Sequence, residues 1–242
     1  MTRLLNGIVA FGSALLLAVT LIGAGFAAVA IPDAATATLS RAFSGCDQPN
    51  TPFTAGELAS MAIAGKHYTF DDNDREKLDA AIAEANVAAE ADGRATASTR
   101  ENAARSLPAD AISHLDDVYR VASMAKPALA IVAVLCIAGL AHVAVRIGRR
   151  ALGRTLIAGG GLVLAAFCAL GAWAAIDFDG LFAAFHSLFF QAGTWTFPYD
   201  SLLITLYPTA FWMGMGGIWL AVTCIASIIC IIVGRLLRSE TE

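Results

Sequence analysis

The fold is decided by the stretch PALAIVAVLCIAGLAHVAV, residues 127–145, which contains no Asp, Glu, Lys or Arg. A helix of about 20 apolar residues crosses the roughly 30 Å of hydrocarbon in a bilayer. Three further runs share this lack of charge, namely 4–32, 155–176 and 201–234. A mean hydropathy of +0.66 and 57% hydrophobic residues agree with this interpretation. The sequence therefore predicts an all-α integral membrane protein with four transmembrane helices.

The domain boundaries follow from these runs. We expect a single membrane domain over residues 1–242, with an extracytoplasmic helical cap over 33–125 and an external interfacial hairpin over 177–207. The four spans are expected at about 5–30, 127–147, 153–176 and 208–233. Signal-peptide apolar regions are typically about 7–15 residues long, so the much longer first run favours a retained helix. Cleavage after the Ala-Val-Ala sequence at 28–30 is the alternative, and it would leave the later topology unchanged.

The basic residues predict the orientation of the chain. Four arginines crowd the short segment between the second and third runs, and others precede the first run and follow the fourth: Arg146, Arg149, Arg150, Arg154, Arg3, Arg235 and Arg238. Short cytoplasmic loops carry such an excess of positive charge. We therefore expect both termini in the cytoplasm and the acidic segment 33–125 outside. The net charge of −4 and the absence of a basic patch argue against a nucleic-acid partner.

The cap sequence indicates several helices. Thr54 and Glu57 have the spacing of a capping box at a helix start, and the Ala- and Glu-rich segment 74–91 favours a second helix. The polar segment 66–74 is typical of a turn, and residues 93–102 of a flexible link.

The cysteines predict neither a disulfide nor a metal site. Only Cys46 lies outside the apolar runs, so an intrachain disulfide is excluded in the cap. The chain contains no CxxC, CxxH or HExxH pattern, and we expect no bound metal.

The most aromatic stretch, DFDGLFAAFHSLFFQAGTWTFPYD, covers residues 177–200. Its first part predicts an amphipathic interfacial helix, with one face formed by Phe178, Phe182, Phe185 and Phe189. Asp179 and His186 are seven residues apart and fall within about 20° of each other on a helix. A carboxylate in that position fixes the tautomer of an imidazole and raises its basicity. The alternative is an ordinary interfacial histidine with its tip among the lipid headgroups.

A second histidine with a nearby carboxylate occurs in HLDDV, where His114 and Asp117 lie on one helical face. The helix that carries them leads toward the second span, so His114 can approach His186 if the cap leans over the membrane. We expect the two rings to lie close together. The alternative is a solvated surface pair. His67, in a polar segment, and His142, near the cytoplasmic end of its span, are weaker candidates.

The aromatic residues suggest a site for an acylated molecule. Of 21 aromatic residues, 13 fall between Trp173 and Trp219. Aromatic belts occur at both membrane interfaces, whereas this enrichment is concentrated on the external side.

Four motifs in this region resemble a bacterial family of four-span membrane proteins, the lipoprotein intramolecular transacylases. The motifs are HLDDV (114–118), FDGLFAAFHSLFF (178–190), WTFPYD (195–200) and YPTAFW (207–212). The resemblance is firm over 107–215 and looser over 53–70. It is absent over 74–105, which looks like a longer cap than usual.

The resemblance implies a specific reaction. An enzyme of this family moves the sn-2 acyl chain of a diacylglyceryl group onto the α-amine of the N-terminal cysteine of a lipoprotein. The implied partners are a diacylated lipoprotein and membrane lipid, and the implied catalytic residues are His114 and His186. We expect support from Asp117, Asp179 and Asp200. We expect contact with substrate or lipid from Phe182, Phe185, Phe189, Phe190, Trp195, Phe197, Pro198 and Trp212.

The residue types suit this chemistry. An α-amine with a pKa near 8 must lose a proton before it attacks an ester, and an imidazole can accept it. Because ester-to-amide transfer is downhill, no ATP, metal or other cofactor is expected. Two alternatives stay open from the residues themselves. One is a membrane lipid hydrolase or O-acyltransferase that uses the same histidines. The other is a non-catalytic lipid or metal sensor with His114, His186, Asp117 and Asp200 as ligands.

Overall fold

The computed structural model describes residues 2–95 and 105–239, and within these ranges the chain is helical without β-strands. A short π-helical segment, Val143–Ile147, follows the fifth α-helix. The α-helices in chain order are α1 (Thr2–Ala30), α2 (Asp33–Phe43), α3 (Ala55–Phe70), α4 (Arg75–Ala91), α5 (Ala109–His142), α6 (Arg149–Ile176), α7 (Phe178–Ser187), α8 (Leu202–Leu206) and α9 (Thr209–Ser239).

Four of these segments are long and apolar enough to cross a membrane, which confirms the predicted number of spans. They are Arg3–Ala30, Ala109–Ile147, Arg149–Ile176 and Thr209–Ser239. The second has 39 residues and runs without interruption through Pro127. At 1.5 Å per residue it is roughly twice as long as the hydrocarbon is thick, so about half of it extends beyond the bilayer core.

The described chain forms two compact units. The first unit comprises Met1–Val29, Ala125–Leu181 and Ile218–Glu242, and the second comprises Ala30–Met124 and Phe182–Gly217. The first unit therefore contains most of the apolar spans, and the second contains most of the segment expected as the cap together with most of the aromatic stretch. That residues 1–242 act as a single domain stays a prediction.

Helices in the first unit pack through small residues. A Cβ atom added at Gly160 would lie 2.7 Å from the carbonyl oxygen of Ser227, and one at Gly153 would lie 2.5 Å from that of Gly234. Helices α6 and α9 thus touch backbone to backbone, as membrane helices do when lipid supplies no hydrophobic drive for association. Elsewhere in this unit, the Trp219 indole donates a hydrogen bond to the Ile22 carbonyl at 3.1 Å.

The second unit has a core of large apolar side chains, as a water-soluble domain does. Its fully or almost fully buried members come from α3, α4 and α8: Leu58, Met61, Leu78, Leu202 and Leu206. Two expected helices are confirmed here. The Thr54 and Glu57 capping box opens α3, and the segment 74–91 forms α4 with Asp74 as its N-cap.

The turn expected over 66–74 is wrong for its first half, because α3 continues to Phe70. Tertiary partners stabilise this extra turn: the buried Lys66 contacts Asp33 at 2.5 Å, and the buried Tyr68 donates to Asp116 at 2.5 Å. The flexible link expected over 93–102 lies mostly outside the described residues.

Candidate active site

His114 lies in the second turn of α5 and is buried in the second unit. The neighbouring side chains of Ala111, Ile112 and Leu115 belong to the apolar core and anchor this part of the helix. The His114 side chain is only 8% exposed. Its Nδ1 atom is buried and has no hydrogen-bond partner among the described residues. A buried polar atom without a partner costs about 1–3 kcal/mol, so this nitrogen is available to a ligand that would satisfy it.

His186 lies in the last turn of α7. Its Nδ1 atom is 2.8 Å from the backbone carbonyl oxygen of Phe182. A carbonyl oxygen can only accept a hydrogen bond, so Nδ1 carries the proton. In the neutral ring the lone pair is then on Nε2, where a substrate proton can be accepted.

The two histidine rings lie 6.1 Å apart between centroids, with 30° between their planes. The two histidines are 72 positions apart in the sequence, and both belong to the second unit. The expectation that the two histidines lie close together is confirmed.

Aromatic side chains enclose this pair. Phe190 and Phe197 contact His114, with ring centroids 4.9 and 5.5 Å from the imidazole. Phe182 contacts His186 at 4.0 Å, and Trp195 contacts it at 4.8 Å. Four of the aromatic residues singled out in the sequence therefore surround the two imidazoles.

The surroundings favour an uncharged His186. Burial lowers its pKa below the ordinary value, and the hydrogen bond to the Phe182 carbonyl opposes this only in part. Two imidazolium ions at this separation would also repel each other, so the pair holds a single proton far more readily than two. Such a pair is suited to accept a proton and pass it on.

The remaining aromatic candidates lie at the edge of this cluster. Phe185 and Phe189 are each 48% exposed and contact each other at 5.2 Å. The Trp212 ring is 6.1 Å from Phe182, and Pro198 is exposed. These side chains are accessible to lipid or substrate, and their binding role stays a prediction.

The three carboxylates expected to support the histidines have other surroundings. Asp117 pairs with Arg120 at 2.7 Å rather than with His114. Asp179 and Asp200 are exposed. The His186 nitrogen expected to meet Asp179 instead donates to a backbone carbonyl, because the imidazole folds back onto the preceding turn of its own helix. Supporting roles for these aspartates stay predictions.

Sequence reasoning missed Asp116, which holds the His114 segment in place. Its carboxylate accepts hydrogen bonds from the Tyr68 hydroxyl at 2.5 Å and from the Asn73 amide at 3.5 Å. Burial, together with this bond to Asp116, raises the pKa of Tyr68 to about 12, so the phenol keeps its proton. The sequence offered only one signal for this role of Asp116, the pair of adjacent aspartates in HLDDV. Its partners Tyr68 and Asn73 are more than 40 positions away in the sequence.

A metal site finds no support in the described ranges, 2–95 and 105–239. No group of three His, Cys, Asp or Glu side chains there is arranged to hold an ion. All five cysteines have free thiols.

Comparison with known proteins points to one family. The family model described as "Lipoprotein intramolecular transacylase Lit" matches residues 94–212, which include both histidines. No curated protein sequence matches the chain.

Solved structures agree with the family match. The membrane-integral lipoprotein intramolecular transacylase Lit from Bacillus cereus superimposes with a TM-score of 0.73 at 16% identity, covering 98% of this chain and 97% of the other. A variant of it with a histidine replaced by alanine gives 0.71 at 16% identity, with 99% and 96% coverage. At this identity the likeness shows a shared fold.

Proposed function

The chain belongs to the lipoprotein intramolecular transacylase family, and on that premise we propose that His114 and His186 transfer the proton during acyl transfer within a diacylated lipoprotein. The acyl chain leaves the sn-2 oxygen of the diacylglyceryl group and joins the α-amine of the N-terminal cysteine. The products are an N-acylated cysteine and a lyso-form glyceryl group.

The observation that carries this proposal is the histidine pair inside its aromatic cluster. The rings are 6.1 Å apart, and His114 Nδ1 is buried without a described partner. Two imidazoles within reach of one substrate can act on the amine and on the leaving oxygen in the same complex.

The reaction requires one net proton transfer. The amine nitrogen attacks the ester carbonyl carbon, the bond from that carbon to the sn-2 oxygen breaks, and a proton passes from nitrogen to the sn-2 oxygen. His186 Nε2 holds the lone pair that accepts the amine proton, because Nδ1–H is engaged by the Phe182 carbonyl. His114 adjoins the same ring and is the second member through which the proton reaches the leaving oxygen.

Positioning supplies much of the remaining rate. Donor and acceptor belong to one molecule, so no second substrate has to be brought from solution. An aromatic cluster suits the acyl chain and excludes the water that would otherwise hydrolyse the ester.

We also propose that the site faces the extracytoplasmic side and that both termini are cytoplasmic. In the first unit, arginines from the start of α6 and the end of α9 line one cleft: Arg150, Arg154, Arg235 and Arg238. These helix ends therefore share one end of the unit, and clustered positive charge is typical of the cytoplasmic side.

The test is reconstitution of the purified protein with a diacylated lipoprotein that carries an isotope label in the sn-2 acyl chain. Mass spectrometry of the N-terminal peptide should locate the label on the α-amine. His114→Ala and His186→Ala should each lower the rate by about 10²–10⁴-fold.

A matched control is His142→Ala, which removes a histidine from the far end of α5 and should retain activity. Label released as free fatty acid would identify a hydrolase instead. Activity near the wild-type rate in both His114→Ala and His186→Ala would refute the proposed roles.

A further inference from the structure

Trp195 differs from the other aromatic residues around the histidines because it carries a hydrogen-bond donor. Its indole ring lies 4.8 Å from the His186 ring and 6.4 Å from Phe182. The indole Nε1 atom is buried and finds no acceptor in the part of the chain that the structure describes.

An indole nitrogen can only donate, since it has no lone pair to offer. Leaving such a group buried without a partner costs about 1–3 kcal/mol. The same fold satisfies Trp219, whose Nε1 donates to the Ile22 carbonyl at 3.1 Å. The unsatisfied indole thus occurs beside the imidazole that carries the available lone pair. The same imidazole also lies next to His114, whose buried Nδ1 has no described partner either.

We propose that the Trp195 N–H donates to the carbonyl oxygen of the sn-2 ester, and that this bond strengthens as the oxygen becomes an oxyanion. The inference rests on the proposed function and extends it to a further catalytic residue. When the amine nitrogen bonds to the carbonyl carbon, the C=O π electrons move onto the carbonyl oxygen. That charge returns to reform the carbonyl as the bond to the sn-2 oxygen breaks, and the leaving oxygen takes the proton from the histidine pair.

The Trp195 donor would supply what the two histidines lack. Acyl transfer by two imidazoles provides for the protons but not for the charge that develops on the carbonyl oxygen. A donor in a water-excluded site stabilises that charge strongly, and loss of one such donor typically costs about 10²–10³ in kcat. The other aromatic rings that contact the two histidines have no hydrogen-bond donor: Phe182, Phe185, Phe190 and Phe197.

A packing role for the indole makes a different prediction. If Trp195 only supports His186 or contacts the acyl chain, a ring of similar shape without the N–H should serve equally well. Loss of uniform binding would raise KM, whereas loss of an interaction made in the transition state would lower kcat.

The experiment compares Trp195→Phe with replacement of Trp195 by benzothienylalanine, which keeps the bicyclic shape but has sulfur in place of N–H. Both should lower kcat by about 10²-fold or more and leave KM near the wild-type value. The second replacement decides the matter if Trp195→Phe does not fold. Trp173→Phe, in α6 of the first unit, is the control and should keep wild-type kinetics.

A wild-type kcat with benzothienylalanine, or a rise in KM alone, would overturn the donor role. The proposed function fails separately, because it requires only that the wild-type protein form the N-acyl product and that His114 and His186 be needed for it.

Discussion

The two units of the molecule are stabilised in different ways. In the first unit, glycines let helix backbones touch, and large apolar side chains such as Ile176, at 86% exposure, point away from the protein. In the second unit, large apolar side chains are buried, and Leu78 is fully buried. Lipid solvates the first kind of surface, whereas water drives burial of the second.

The difference shows where chemistry can be located. Close backbone packing leaves little room for polar side chains, and the first unit buries mainly small ones such as Ser227 and Thr155. The second unit buries His114 with an unsatisfied nitrogen and surrounds it with aromatic rings. An acyl-transfer site requires both features, a protonatable group and an apolar enclosure, and only the second kind of packing provides them together.

The largest stability effect should come from the core of the second unit. Leu78→Ala, in α4, removes a fully buried side chain and should lower the free energy of unfolding by about 2–5 kcal/mol. Val87→Ala in the same helix changes a side chain that is 67% exposed, and its effect should stay within about 0.5 kcal/mol. Denaturant unfolding in detergent measures both. Equal effects would mean that this unit is not held together by its apolar core.

A smaller effect is expected from adjacent glycines in the first unit. In Gly160→Ala the new Cβ would lie 2.7 Å from the Ser227 carbonyl oxygen and 3.0 Å from Ile231, which forces α6 and α9 apart. Overpacking of this kind typically costs about 1–3 kcal/mol. In Gly161→Ala the new methyl group meets nothing within 4 Å, so stability should not fall. Thermal unfolding of the two variants compares them, and a reversed order would contradict backbone contact between these helices.

The smallest predicted effect concerns pH. Because burial lowers the pKa of His186, this base stays neutral to lower pH than a free imidazole, whose pKa is about 6.5. Between about pH 7.5 and 6.5, log(kcat/KM) should therefore fall with a slope of one, set by the substrate amine with its pKa near 8. The slope should increase to two only below about pH 6.5. If the slope already increases at or above about pH 6.5, His186 has the pKa of a free imidazole and is not buried. Half of the base would then be protonated at that pH, which lowers the rate about twofold.

Much of the first unit could be predicted from the sequence, because the signal is local. A run of 19 uncharged residues such as 127–145 has few structures open to it other than a membrane helix. The structure has a long apolar helix at each of the four uncharged runs, and α5 additionally extends back to Ala109.

The site could be predicted only in part, because its contacts join distant segments. The histidines were recognisable from their motifs, and their closeness followed from the expected topology. The contacts of Asp116 were not predicted, because its partners Tyr68 and Asn73 lie in α3 and the following turn. Likewise, helical spacing predicted that Asp179 lies near His186. It did not reveal that the Phe182 carbonyl oxygen accepts a hydrogen bond from His186 Nδ1.

The proposed acyl transfer requires that His114 and His186 act as one proton-transfer unit. A double-mutant cycle in single-turnover acyl transfer tests it directly, with His114→Ala, His186→Ala and the combined variant compared by N-acyl product formation. Residues that act as a unit lose their joint contribution with the first substitution. The combined variant should therefore be no slower than the slower single variant. Rate losses that multiply in the combined variant would contradict a shared site and assign the two histidines independent roles.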